Sequence, residues 1–262
     1  MQVFEQMPTW VIVFVFLVLS VTASNAIIYG IQRAFTINHS SELSIVVKSL
    51  ITFRLTGTAS LILGFAIVTS NSSYQASVQN LAEETFQISR LNNAIEILDQ
   101  SSQVEIRPAL RNYVASIIKF EWSKMRGLPN GVQETQSSLK SLSRLIIQAK
   151  SDSNAKGISF NEIDTAKGQM ELMRVKRLTY ANQGIPTIFW GFAGIFFVII
   201  NVLGALLEMD KTHHNRLFVT ICSGVVGLLA SILFVMSHPF TGDVSVDPTP
   251  LQGVLAILSA EG

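Results

Sequence analysis

An all-α membrane protein is the fold class this sequence predicts, and three observations predict it. Of 262 residues, 48% are hydrophobic and only 14% charged, against about 25% charged in soluble domains, and the mean hydropathy is +0.40. Four apolar runs each approach or exceed the roughly 20 residues that cross a hydrocarbon core of about 30 Å. Between the second and third runs lies a polar stretch whose apolar residues recur with helical spacing and never with strand-like alternation. The expected architecture is four transmembrane helices as two hairpins, with a helical bundle inserted between the second and third. We divide the chain into residues 1–70 (spans 8–33 and 48–70), 71–183 (the insertion), 184–237 (spans 184–208 and 215–237) and a proline-containing tail, 238–262.

The first run, Pro8 to Arg33, has no basic segment before it and carries Glu5 where a cleaved leader would carry Lys or Arg. It reads as a retained transmembrane helix, with Trp10 and Tyr29 near the interfaces that amphipathic rings favour. A short polar connection follows, in which Ser41 and Glu42 suit the start of a helix and His39 reads as a solvated loop histidine. The second run, Lys48 to Ser70, has Arg54 near its start, where the side chain can snorkel to the interface. It ends in a Ser/Asn step, SNSSY, that passes into the insertion, so membrane and soluble segments are expected to join there as one helix.

The insertion holds 14 of the 19 Lys and Arg and 11 of the 18 Asp and Glu, a net of +3. Ile88, Leu91, Ile95 and Leu98 fall on one helical stripe, as do Leu110, Val114, Ile117, Ile118 and Trp122, the latter set with Pro108 expected in the first turn. Gly127, Pro129, Asn130 and Gly131 mark a turn. Leu139, Leu142, Leu145, Ile146 and Ala149 mark a third helix, broken at Ser151 to Gly157 before a fourth with Phe160, Ile163, Met170 and Met173. The third apolar run, Gly184 to Glu208, has Asn201 as its strongly polar interior residue. Lys211 to Arg216 reads as a tight turn before the fourth run. In that run Ser223, Gly227 and Ser231 recur every four residues as a small-residue face suited to close helix packing, the role also expected of Gly64 in the second run. Pro239, Pro248 and Pro250 extend the tail, and Leu251 to Leu258 reads as a short amphipathic capping helix.

Several function classes find no support in these residues. A net charge of +1 names no nucleic-acid partner. Cys222 stands alone, so it makes no intrachain disulfide or zinc cluster. No nucleophile elbow, phosphate loop or Glu-x-x-His pair is present, and no cofactor or metal is expected. His213 and His214 beside Glu208 and Asp210 read as a solvated turn, and Glu83, Glu84, Glu162 and Asp164 as solvated helix faces. We expect a non-enzyme. Arg33, Lys48, Lys211 and Arg216 flank the short loops, whereas the tails carry no Lys or Arg. By the positive-inside rule the short loops are then cytoplasmic and the insertion extracytoplasmic.

A pore or an interaction surface remains. Gly57, Leu61, Phe65 and Val68 are the candidate pore-lining residues of the second run; the last three would form an apolar constriction if several copies surrounded an axis, and Gly57 removes side-chain bulk and allows close helix approach. LILGFAIVTSNSSY resembles the second-helix region of bestrophins, with a Leu63-Gly64-Phe65 step, Phe65 matching a neck aromatic and Tyr74 a following aromatic. It departs from that pattern at Gly57, where a bulky residue is usual, and at Ser73, where an arginine is usual. The whole plan is similar to an uncharacterised bacterial bestrophin-like membrane family, through SNSSYQASVQNLAEET and a tail with His238-Pro239-Phe240-Thr241-Gly242, Asp247-Pro248 and Pro250-Leu251. That resemblance implies a homo-oligomeric channel for small anions in a bacterial plasma membrane, a pentamer by wider analogy, surrounded by lipid. It also implies a cytosolic helical middle, opposite to the charge count. The competing reading is a non-conducting scaffold or sensor subunit whose helical domain binds a ligand or a partner complex.

Overall fold

One helix of 51 residues joins the two parts of this molecule. The computed structural model describes residues 8–34, 45–125, 132–154, 160–182, 186–208, 213–237, 239–240 and 245–260, and within them every regular element is helical. We number the helices α1 (Thr9–Ala34), α2 (Ile45–Ile95), α3 (Gln100–Ser116), α4 (Trp122–Met125), α5 (Val132–Asn154), α6 (Asn161–Asn182), α7 (Thr187–Glu208), α8 (His213–Met236) and α9 (Thr249–Ala260). A π-helical turn, Ile117–Glu121, runs between α3 and α4.

Three helices, α1, α2 and α8, are long and apolar enough to cross a membrane, and α7 contributes a shorter apolar stretch, Thr187–Leu203. Both α1 and α2 pack on the α7–α8 pair. This differs from a simple reading of α1 and α2 as mutual neighbours, and side-chain volume is the reason. Gly227 of α8 lets α1 approach so closely that a methyl group built on it would lie 2.6 Å from Ser20 Cβ and 3.1 Å from the Phe16 carbonyl oxygen. On the other side, Ala59, Leu63 and Ala66 of α2 form a buried core with Ala193 and Ile200 of α7 and Cys222, Val226 and Leu233 of α8.

Beyond Ser70, α2 continues without a break into the helical body. There it packs along α6, while α3 packs along α5. The stripes read from the sequence meet in one core: Ile88, Leu91 and Ile95 from α2, Leu110 and Val114 from α3, Leu142 and Ile146 from α5, and Ile163 and Met170 from α6. The tail folds back onto this body. Leu251, Val254 and Leu258 of α9 are buried in its core, and Phe240 meets Trp122 edge to face at 5.7 Å. This agrees with the capping role expected of that segment.

Two local expectations need correction. Pro108 lies in the interior of α3, whose first residue is Gln100 and whose preceding Asp99 accepts hydrogen bonds from Ser101 and Ser102. The helix accepts it because Pro108 and Val104, the residue one turn earlier, are both exposed, so water can satisfy the carbonyl freed by the missing N–H. At the other end of the chain, α8 already begins at His213, inside the stretch read as a tight turn. The turn at 127–131, the Ser41–Glu42 cap with His39, the side chains of His213 and His214 with Asp210, and His238, Thr241 and Gly242 of the tail lie outside the described residues, as do residues 155–157 of the break expected at 151–157, which α5 enters as far as Asn154.

Candidate functional site

Alternation around the helix separates two faces of α2 in its membrane half. Leu63, Ala66 and Ser70 face inward and are buried, whereas Leu61, Phe65 and Val68 are 62%, 65% and 63% exposed. Spacings of four and three residues put the latter three on one stripe. Gly57 is exposed one turn before Leu61. A methyl group added at Gly57 or Gly64 meets nothing within 4 Å, so neither glycine serves a close contact within the protomer. Farther along the same face Ser72, Gln75, Gln79 and Glu83 are exposed, so an apolar section gives way to a polar one.

The second small-residue set sits inside the membrane layer. Ser223 donates to Asn201 Oδ1 of α7 at 3.1 Å and lies 3.1 Å from Ser24 Oγ of α1, which ties three helices through one hydroxyl. Asn201 donates to the Phe197 carbonyl at 2.8 Å, so the buried amide has partners on both sides. Ser231 is buried and donates to the Leu228 carbonyl.

Behind the polar half of α2 lies an ionic network that sequence reasoning missed. Arg177 of α6 donates from Nε to Glu84 Oε2 at 2.7 Å and from Nη2 to Glu84 Oε1 at 3.1 Å and Glu121 Oε2 at 2.8 Å. Arg174 donates to the other oxygen of Glu121 and to Gln136 Oε1. Arg177, Glu84 and Glu121 are fully buried, which corrects the expectation of a solvated face at Glu84. Desolvation works against the Arg177 charge, but Glu84 and Glu121 outweigh it and hold the guanidinium pKa above its ordinary value. The Trp122 ring lies near that guanidinium at 5.7 Å. Burial also pushes the Tyr113 hydroxyl well up, so it stays neutral.

A signal for this network exists in the sequence. Glu84 stands four residues before Ile88 and seven before Leu91, on their stripe. Glu121 extends Leu110, Val114 and Ile117, and Arg174 and Arg177 extend Ile163, Ala166 and Met170. All four charges occupy core positions of their helices, where an ionised group needs a partner. The π turn carries one residue more than an α turn, marked by the Trp122 N–H reaching back to the Ile117 carbonyl, and Glu121 and Trp122 are both buried at that site. By contrast, Glu162 and Asp164 are surface groups as expected, paired with Arg90 and Lys150. Among the described residues no group of His, Cys, Asp and Glu could hold a metal ion.

Comparison with known proteins agrees with this architecture. A crystal structure of a bacterial bestrophin homologue from Klebsiella pneumoniae, carrying a single substitution, superposes with a TM-score of 0.62 at 14% identity, covering 95% of this chain and 98% of that one. Two other singly substituted forms of a Klebsiella pneumoniae bestrophin homologue each give 0.59 at 15% identity, over 95% of this chain and 96% of theirs. No curated protein sequence matches. At such identities the structures speak for the fold, whereas the sequence match to the Bestrophin-like domain spans residues 18–251. On that match the chain belongs to the bestrophin-like family.

Proposed function

We propose that this protein is a subunit of a homo-oligomeric bestrophin-type channel for small anions, with α2 lining the pore. The exposed stripe of Leu61, Phe65 and Val68, on a helix whose opposite face is packed against α7 and α8, carries this reading. In a ring of copies, five by analogy with bestrophins, that stripe forms an apolar constriction that conducts only when wetted. The polar face from Ser72 to Glu83 forms the vestibule that follows. Gly57 and Gly64, open within the protomer, admit close contact between copies.

This reading takes α7 as a fourth span and Asn71 as the start of the soluble insertion, in a bacterial plasma membrane with lipid around the ring. The short-loop charges assign the body to the extracytoplasmic side. Ser137 is exposed on α5, so Ser137→Cys in a Cys222→Ala background should react with an impermeant maleimide in cells with a permeabilised outer envelope. Labelling only after the plasma membrane is opened refutes that side and supports the cytosolic middle of the bestrophins.

The channel reading is tested by anion flux into liposomes. Phe65→Ala and Leu61→Ala should each change flux several-fold or more, and rings should be visible in detergent. Unchanged flux in both variants refutes the constriction, and absence of flux at every voltage and pH refutes the channel. One observation favours the scaffold reading instead: Phe86, Leu172 and Val175 are exposed apolar residues on the body. A stable monomer or dimer that co-purifies with another membrane complex would establish it.

A further inference from the structure

A charged side chain of α2 lies on the stripe that carries the proposed constriction, and close to it. Arg54 is exposed, and it precedes Leu61 by seven residues, as Leu61 precedes Val68. Seven residues turn a helix to within about 20° of two full turns. Arg54 therefore shares the uncovered face with Leu61, Phe65 and Val68 and stands opposite the buried Leu63 and Ala66. Its guanidinium stays charged at any working pH. At 1.5 Å per residue it stands about 10 Å along the helix from Leu61. That is close to the Debye length of about 8 Å in physiological salt, and the low-dielectric walls of a membrane segment focus its field on the narrow section.

The same face also carries Glu83, which is exposed, so two opposite charges compete for the sign of the pore. Distance and neighbours decide for Arg54. Glu83 lies fifteen residues past Val68, about 22 Å or nearly three Debye lengths away. It accepts a hydrogen bond from Gln87 at 2.6 Å, shares a groove with Lys176 and interacts electrostatically with Arg90. Its field at the constriction is accordingly the weaker of the two.

We propose that Arg54 is the charge-selecting residue of this pore: one guanidinium per copy makes a cationic ring at its mouth, which admits small anions and turns back cations. The inference rests on α2 lining the pore, and it deepens that reading by naming the group that chooses the ion. A ring that enriches anions about threefold depletes cations by the same factor, so the ratio of the two changes about ninefold. The test is the reversal potential of the full chain in a planar bilayer across a potassium chloride gradient. The unsubstituted chain should favour chloride over potassium. Arg54→Lys should keep that preference, and Arg54→Gln should lower it at least fivefold. To separate charge from assembly, Arg54→Cys in a Cys222→Ala background receives its charge after folding. A trimethylammonium-bearing methanethiosulfonate should restore the preference for chloride, and the sulfonate-bearing reagent should push it below that of Arg54→Gln. A chain that conducts but favours potassium, or that keeps its ratio within twofold in Arg54→Gln and under both reagents, overturns Arg54 as the selector and leaves the constriction standing. A chain that conducts nothing overturns the channel itself, and this inference with it.

Discussion

Replacing Arg177 by Met removes one cation from a cluster that is otherwise balanced, two guanidinium groups against two carboxylates. Methionine restores much of the side-chain volume, so the change isolates the charge. Glu84 would then lose its guanidinium partner entirely, and Glu121 would keep only Arg174. Breaking a buried pair from one side typically costs about 3–5 kcal/mol, because the remaining charge stays desolvated. For a chain of this size each kcal/mol lowers the melting temperature by roughly 2–4 °C, so Arg177→Met should lower it by about 10 °C. The double variant Glu84→Gln/Arg177→Met leaves Arg174 facing Glu121 and should recover at least half of the loss. Thermal unfolding in detergent, read by size-exclusion recovery and by circular dichroism, measures both. A loss below about 1 kcal/mol for Arg177→Met, or no recovery in the double variant, would show that water reaches the cluster and would refute the buried balance.

Two further perturbations test other parts of the fold. Gly227→Val should force α1 away from α8 and cost about 1–3 kcal/mol or prevent folding, because the contact includes the Phe16 carbonyl, which cannot rotate aside. Gly64→Ala, with open space around it, should not lower protomer stability in the same melting assay and should raise it by up to about 1 kcal/mol through alanine's higher helix propensity. On the body surface, the hydrogen bond from Arg90 holds the Glu162 carboxyl below its ordinary value of 4.5. A lowered folded-state pKa means that the pair contributes stability above that value and loses it as pH falls through the folded one. Glu162→Gln should therefore flatten the acid side of the melting-temperature profile below about pH 4.5, leaving only a small change at neutral pH because both groups are in water. An unchanged acid limb would refute the assignment.

Most of the helices are legible in the sequence because burial in a helical protein writes itself at intervals of three and four residues. The stripes from Ile88 to Leu98 and from Leu110 to Ile117 are core in the structure, and the SNSSY step is an uninterrupted part of α2. Glu84 and Arg177 are easily misread, because a charged residue on an apolar stripe looks like the edge of that stripe until its partner, 93 residues away, is known. Pro108 lies farther from its helix start than its sequence suggests, because the exposure that lets a helix tolerate proline is a tertiary property. The pairing of α1 with α8 depends on Ser20 and Gly227 meeting across the membrane layer, and no local pattern in α1 announces it. The face of α2 that carries Leu61, Phe65 and Val68 is legible as a stripe, but its being left uncovered by the rest of the protomer is not.

The uninterrupted course of α2 has a consequence for how change can accumulate in this chain. Its 51 residues extend about 75 Å at 1.5 Å each, more than twice the hydrocarbon thickness. Helical phase therefore runs unbroken from the Phe65 stripe to the Glu84 contact. One residue inserted near Asn71 would turn one end against the other by about 100°, and four would leave about 40° of error, while seven would return it to within about 20°. Length variation at this junction is confined to near-whole turns, so the membrane face and the body face of α2 are in register as two gears on one shaft.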